Sequence, residues 1–375
     1  MDFDKITEYI DSLKNEQIPG ADCIIYRNHE PVYRHMMGTG DAAGTKPLTG
    51  NEKYLMFSMT KVQTMTAFMQ LVEQGKVSLE DEVSKYLPAY GKLSVKKNGE
   101  IVPASTPLRI KHLLSMQSGL DYNLERPGIV RVLKEKGMKA TTREIVNAFT
   151  ESPLDFEPGE HFQYSLSHDV AAAVIEVISG MSFGEYLKKH IWEPLEMKNT
   201  SFAKTMNDGV RDLTQQYILN DKGKIVPMEQ SCCYQFSDAY ESGGAGLMSC
   251  TADYGILADM LACGGEGFNG ARILKAETVE LIKQNLLSDA GREDIARLMG
   301  RIGYGYGCGM QVLLEPEKIN SSSPAGVFGW DGAAGSCITM DTASKTSIVY
   351  VMHVRNCGFA YGVIHPTLRD MVFGK

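Results

Sequence analysis

At 375 residues the chain is long enough to bury a large core in one domain or several. Its 43% hydrophobic and 22% charged residues are ordinary for a soluble globular protein. A net charge of −8 without a basic cluster argues against a nucleic-acid partner, and no apolar run is long enough to cross a bilayer.

The chain begins Met1-Asp2-Phe3-Asp4, with no basic segment followed by an apolar one, so a cytoplasmic location is expected. A helix is predicted over 3–14, with Ile6, Ile10 and Leu13 on one face. Strands are expected over 21–26 and 32–37, joined by Asn28-His29-Glu30-Pro31. From about 50 to 290 the periodicity is mainly helical, for example over 110–116, 142–149, 169–179 and 251–262. Strands return over 304–314, 326–330, 336–341 and 346–353, and a helix over 361–373 closes the chain. Strands at both ends with helices between them predict an α+β fold. One antiparallel sheet would be built from the two chain ends (about 1–50 and 295–375), with a mostly helical lobe (about 51–294) inserted, all within a single catalytic domain spanning 1–375. The eight cysteines are scattered, with no C-x-x-C pair and no cysteine–histidine cluster at zinc spacing. Reduced thiols, no metal and no cofactor are expected.

Three motifs carry chemistry. In Ser58-Met59-Thr60-Lys61 a hydroxyl and an amine lie one turn apart at the start of a helix. Met65, Phe68, Met69 and Val72 follow on the same face, and Gly75 marks its end. A lysine that begins an apolar stripe loses hydration, which favours the neutral amine and makes it a base for the serine. The bland alternative is a helix-capping serine beside a lysine that snorkels to solvent. The same spacing recurs at Ser94–Lys97, in a polar stretch that reads as strand and turn, and at Ser201–Lys204, with no apolar periodicity behind it. The second motif is Tyr164-Ser165-Leu166, in a loop after Pro158-Gly159-Glu160; by itself it reads first as a core tyrosine whose hydroxyl finds a backbone partner. The third is Trp330-Asp331-Gly332 between two strands, which also reads as a hairpin turn. His168, just after the second motif, reads as structural.

In this order the three motifs resemble those of serine β-lactamase-like proteins: class C β-lactamases, penicillin-binding proteins and, most closely, family VIII carboxylesterases. Leu113-Leu114-Ser115-Met116-Gln117-Ser118-Gly119-Leu120 is similar to that family's Leu-Leu-x-His-x-Ser-Gly-Leu, with Met116 in place of His. Pro158-Gly159-Glu160 and Ser242-Gly243-Gly244-Ala245-Gly246-Leu247 also match, so the resemblance runs from about residue 15 to the C-terminus. It implies that Ser58 is the acylated nucleophile. Lys61 and Tyr164 would move the protons, with the ammonium lowering the phenol's pKa, and the backbone N–H groups of Ser58 and Ala333 would form the oxyanion hole. The departures bear on substrate. Leu166 stands where β-lactamases carry an amide-holding Asn, and Trp330 and Asp331 stand where they carry Lys-Thr. With Gly332 these residues are expected to contact substrate. They favour a small ester over a carboxylate-bearing β-lactam, and Asp331 suggests a neutral or cationic substrate. The resemblance thus implies a serine acyl hydrolase of esterase type. The alternatives are a β-lactamase or D-amino-acid peptidase, an acyltransferase using the same acyl-enzyme, and a non-catalytic sensor or binding module. No nucleic-acid or membrane partner is expected.

Overall fold

Two stretches far apart in sequence make one sheet. The computed structural model describes residues 1–202, 213–229 and 234–374. From the N-terminal part come β1 (Gly20–Arg27) and β2 (Glu30–Gly38). From the C-terminal part come β3 (Tyr304–Tyr306), β4 (Gln311–Leu313), β5 (Phe328–Gly332), β6 (Ser336–Asp341) and β7 (Thr346–Val351). They form a seven-stranded sheet in the order β3-β4-β5-β6-β7-β1-β2, antiparallel throughout. The β1–β2 turn is two residues long, with Asn28 and His29 at φ 49° and 73°, the left-handed pair that matches hairpin twist.

Five helices matter for the site: α1 (Phe3–Ser12), α2 (Thr60–Glu73), α3 (Ser167–Ser179), α4 (Thr251–Ala262) and α5 (His365–Phe373). Strand alternation divides the sheet between two cores. Cys23, Ile25, Cys337 and Tyr350 pack with Ile6 and Ile10 of α1 and Leu368 and Val372 of α5. Ile24, Trp330, Ile338 and Val349 face the other way, into the core shared with α2, α3 and α4. The α+β architecture with an inserted helical lobe is therefore present as expected.

Three expectations are corrected. The predicted 304–314 strand is two strands, because the chain reverses between Tyr306 and Gln311. Gly309 has φ 73° there, and a Cβ on it would lie 2.1 Å from Met65 Cγ. The closing helix begins with a π-turn over Ala360–Ile364. Helix α2 is not a one-sided stripe. It runs through the middle of the molecule and is buried all round from Thr60 to Leu71, with Val72 at its margin. Its polar residues find internal partners: Thr64 Oγ1 donates to the Gly243 carbonyl at 2.6 Å and Gln70 Nε2 to that of Ile273 at 3.1 Å. Ser94–Lys97 and Glu100–Pro103 form the expected small hairpin. Lys204, Cys232 and Cys233 lie outside the described residues.

The C-terminal segment grips the turn between β5 and β6 from behind. Tyr361 OH donates to the Gly332 carbonyl at 2.9 Å, and His365 Nε2 donates to that of Gly335 at 3.0 Å. His365 Nδ1 lies 3.8 Å from Asp331 Oδ2. Burial opposes charge on this imidazole, but the Cys337 sulfur and the Asp331 carboxylate outweigh it and raise its pKa to about 10. A group raised from 6.5 to about 10 adds stability that is full below pH 6.5 and fades as pH rises through 10. In urea titrations the stability gap between wild type and His365→Asn is therefore expected to narrow steadily from pH 6.5 to pH 10. A gap independent of pH would show that His365 is neutral in the folded protein.

Candidate active site

Ser58 sits in a single 3-10 turn, Phe57–Met59, that leads into α2. The residue before it, Phe57, is fully buried with φ 46°, a left-handed conformation that a bulky residue adopts only when its surroundings impose it. Tyr234 meets its ring edge-on at 6.0 Å, and the Arg355 guanidinium lies 5.5 Å from the ring centre. This kink presents Ser58, which stays partly exposed while its neighbours are buried.

Lys61, one turn on, has no exposed surface, which rules out the snorkelling alternative. Its Nζ lies 3.2 Å from Ser58 Oγ, 2.7 Å from the Gly244 carbonyl and 3.5 Å from Tyr122 OH. Burial pulls its pKa from 10.5 down to about 7, against the opposing charges of Asp169 and Asp331. That is roughly 5 kcal/mol of bias toward the neutral amine. A neutral amine has two N–H donors and one lone pair. With Gly244 O and Tyr122 OH taking the donors, the lone pair is left for the Ser58 hydroxyl.

Tyr164 stands beside the same pair. Its hydroxyl accepts from Trp330 Nε1 at 3.1 Å, and Ser58 acts electrostatically on its phenol. The loop that carries it is pinned to the Leu113–Leu120 motif. Gln163 N donates to Met116 O at 2.9 Å, and Leu166 N to Asp121 O at 3.2 Å. Gly119, at φ 78°, allows the close approach, since a Cβ there would lie 2.4 Å from Phe156 O. Ser165 Oγ donates to Met116 Sδ at 3.6 Å, so the methionine that replaces the family's histidine keeps a weak polar contact.

Two expectations about this cluster change. The Tyr164 phenol is raised, not lowered. Burial dominates over the helpful effects of Ser58 and Trp330, and Lys61 sits over the ring, 4.6 Å from its centre. The group poised to titrate near neutrality is therefore the amine. Asp331 does not face the cleft. Trp330 and Asp331 are neighbours on β5 and so point to opposite faces of the sheet. Asp331 pairs with Arg301 and lies near His365; these two outweigh burial and hold its carboxyl below its ordinary value. Its charge is matched internally, which removes the grounds for expecting a cationic substrate or repulsion of a carboxylate.

The other sequence candidates fall around the cluster. Leu166 is 2% exposed and packs in the core, offering no polar group. Trp330 is equally buried, with its ring 5.5 Å from that of Tyr164 and 5.0 Å from that of Tyr306, so it orients the tyrosine. Gly332 packs against the strand leading to Ser58: a Cβ there would lie 2.5 Å from Met56 O. Ala333, at the start of the gripped turn, joins the small apolar cluster that contains Phe57. His168 is fully buried, with Nε2 donating to Leu114 O at 3.3 Å, and burial depresses its pKa strongly.

Sequence reading missed Tyr122. Its ring stacks on that of Tyr164 at 5.4 Å, and its hydroxyl accepts from Lys61 Nζ at 3.5 Å. Two residues beyond Leu120, it could have been suspected because the Leu113–Leu120 motif holds the Tyr164 loop. Spacing also hid His29, Asp259 and Cys263, whose ligand atoms all lie within 4.8 Å of one another. These donors are already spent on each other: His29 Nδ1 bonds Asp259 at 2.8 Å and Cys263 Sγ does so at 3.6 Å. They clasp the β1–β2 turn to α4.

The Beta-lactamase family matches residues 5–357. Esterase EstB of Burkholderia gladioli is 27% identical over a 398-residue alignment covering 97% of this chain and 93% of its own. The structure of EstCE1, described as a hydrolase with promiscuous acyltransferase activity, superposes with a TM-score of 0.80 at 25% identity, over 99% of this chain and 98% of its own. Unliganded simvastatin synthase (LovD) from Aspergillus terreus also gives a TM-score of 0.80, covering 100% and 98%; at 20% identity it speaks to the fold alone. With the family matched across nearly its whole length, the chain belongs to the Beta-lactamase family.

Proposed function

We propose that this serine hydrolase is an esterase that forms an acyl-enzyme on Ser58 with small carboxylic esters. The observation that carries the reading is the buried Lys61 amine, 3.2 Å from Ser58 Oγ with its pKa brought down to about 7. A base is most effective when its pKa lies near the working pH. Neutral Lys61 takes the Ser58 proton as Oγ bonds to the ester carbonyl carbon. The backbone N–H groups of Ser58 and Ala333 stabilise the oxyanion, each by about 3–4 kcal/mol. The carbon–alkoxide bond then breaks, and the leaving alcohol receives its proton from Tyr164, whose raised pKa keeps it a donor and which Lys61 re-protonates. Water enters and the same groups run the proton transfers in reverse.

Leu166 supports an ester over an amide-bearing β-lactam, because no side-chain hydrogen bond is offered where Asn would stand. EstB and EstCE1 support it as relatives named esterase and hydrolase. The promiscuous acyltransferase activity described for EstCE1 supports a second outcome of the same intermediate, transfer of the acyl group to an alcohol. Retention of Ser58, Lys61 and Tyr164 in mutual contact weighs against a non-catalytic module.

Intact-protein mass spectrometry with p-nitrophenyl butyrate and, separately, a penicillin tests the reading. Wild type is expected to gain one butyryl group and Ser58→Ala none. β-Lactam turnover is expected to be slower by about a hundredfold, the loss of one strong hydrogen bond. An adduct on Ser58→Ala, or faster β-lactam turnover, would overturn it. With 1-butanol present, butyl butyrate in the products would establish transfer.

Trp330→Phe keeps an aromatic ring and removes the donor to Tyr164. It is expected to lower kcat by about tenfold, against roughly 10²–10⁴-fold for Tyr164→Phe, as steady-state kinetics would show. Equal losses would mean that Trp330 itself contacts substrate.

A further inference from the structure

Lys61 has a neighbour that the proton transfers above do not use. Asp169, in the first turn of α3, is 1% exposed. Its Oδ1 accepts from Tyr240 OH at 2.7 Å and from Ser242 Oγ at 2.6 Å. Ser242 begins the Ser242-Gly243-Gly244 segment, which runs between α3 and α2. Thr64 holds the Gly243 carbonyl and Lys61 holds that of Gly244. Glycine is required at both positions. A Cβ on Gly243 would lie 2.4 Å from the His168 carbonyl, and one on Gly244 would lie 2.6 Å from Asp169 Oδ2 and 3.5 Å from Lys61 Nζ. Carboxylate and amine thus meet across the Cα of a single glycine.

The charges around this pair single out Asp169. Lys61 faces Tyr122, Tyr164, His168, Asp169 and Asp331. The phenols are raised and the imidazole is depressed, so these groups are neutral around pH 7. Asp331 is matched by Arg301 and His365. Asp169 faces Tyr90, Tyr122, Tyr240, Ser242 and Gly244, and among the described residues its electrostatic partner is Lys61.

We propose that Asp169 is the positioning residue of Lys61: it anchors the segment whose Gly244 carbonyl aims the amine, and it stabilises the ammonium that forms as Ser58 gives up its proton. This rests on the reading of Lys61 as the base for Ser58. Asp169 itself takes up no proton; the O–H bond of Ser58 breaks and an N–H bond of Lys61 forms. Burial raises the carboxyl of Asp169, and the Ser242, Tyr240 and Lys61 contacts oppose that rise. Conversely, Asp169 is the first of the groups that support charge on Lys61.

The test is the pH dependence of the p-nitrophenol burst, with the Ser58 adduct followed by mass spectrometry, in wild type and Asp169→Asn. Removing the carboxylate makes Lys61 a weaker base. The burst rate on the alkaline plateau is expected to fall about tenfold or more. The acidic limb is expected to shift to lower pH by about one unit. Tyr240→Phe removes one donor, lets burial protonate Asp169 at higher pH, and moves the limb the same way by less; it carries the test if Asp169→Asn does not fold. A slower burst with an unmoved limb in the folded variants would make Asp169 merely structural and overturn the proposal. Absence of a Ser58 adduct in wild type would instead overturn the acylation reading, and this proposal with it.

Discussion

The site depends on keeping one amine out of water. A lysine with no exposed surface is costly in its charged form, and most proteins avoid the arrangement. In the proposed mechanism the cost is what makes the residue a base. Everything around Lys61 helps to hold it there: a central helix buried on all sides, a glycine segment pressed against the next helix, and a carbonyl that accepts a hydrogen bond from it. An exposed lysine at the same spacing would remain an ammonium at neutral pH. The Ser-x-x-Lys spacing is therefore only a permissive condition, and burial supplies the chemistry.

The sheet contributes from the opposite side. Strand β5 ends in the turn that carries Ala333, and α5 with the π-turn before it fixes that turn through two carbonyls. In the proposed mechanism the serine just ahead of α2 and the backbone donor in the turn after β5 are thus anchored by separate rigid elements, which suits a transition state that tolerates little displacement. Asp331, His365 and Arg301 form the charged underside of this turn. Asp331 is held between the two cations, so the trio stiffens this turn from behind.

Much of this was legible in the sequence. Period-two and helical patterns located both ends of the sheet, and three short motifs named Ser58, Lys61 and Tyr164. What was not legible follows from geometry that patterns do not encode. Adjacent strand residues point to opposite faces, so Trp330 packs on Tyr164 while Asp331 turns to α5, although a motif treats them as a unit. A helix that is buried all round resembles a one-sided one when its polar residues are small or amide side chains, as Thr64, Thr66 and Gln70 are. The direction of the Tyr164 shift depends on how much water reaches the phenol, which only the assembled fold decides. Tyr122, Asp169 and Ser242 enter the site through contacts between loops and helices that are remote in sequence.

The central claim, that burial alone makes Lys61 neutral near physiological pH, can be measured without any substrate. Reductive isotope labelling would alter the amine, so the enzyme should be produced with 13Cε-lysine and the Lys61 signal assigned by comparison with Lys61→Arg. Its chemical shift is expected to titrate with a midpoint close to 7, in the free enzyme and in Ser58→Ala alike. A midpoint near the ordinary lysine value of 10.5 would contradict the account, because the amine would then be protonated whenever the enzyme works at neutral pH.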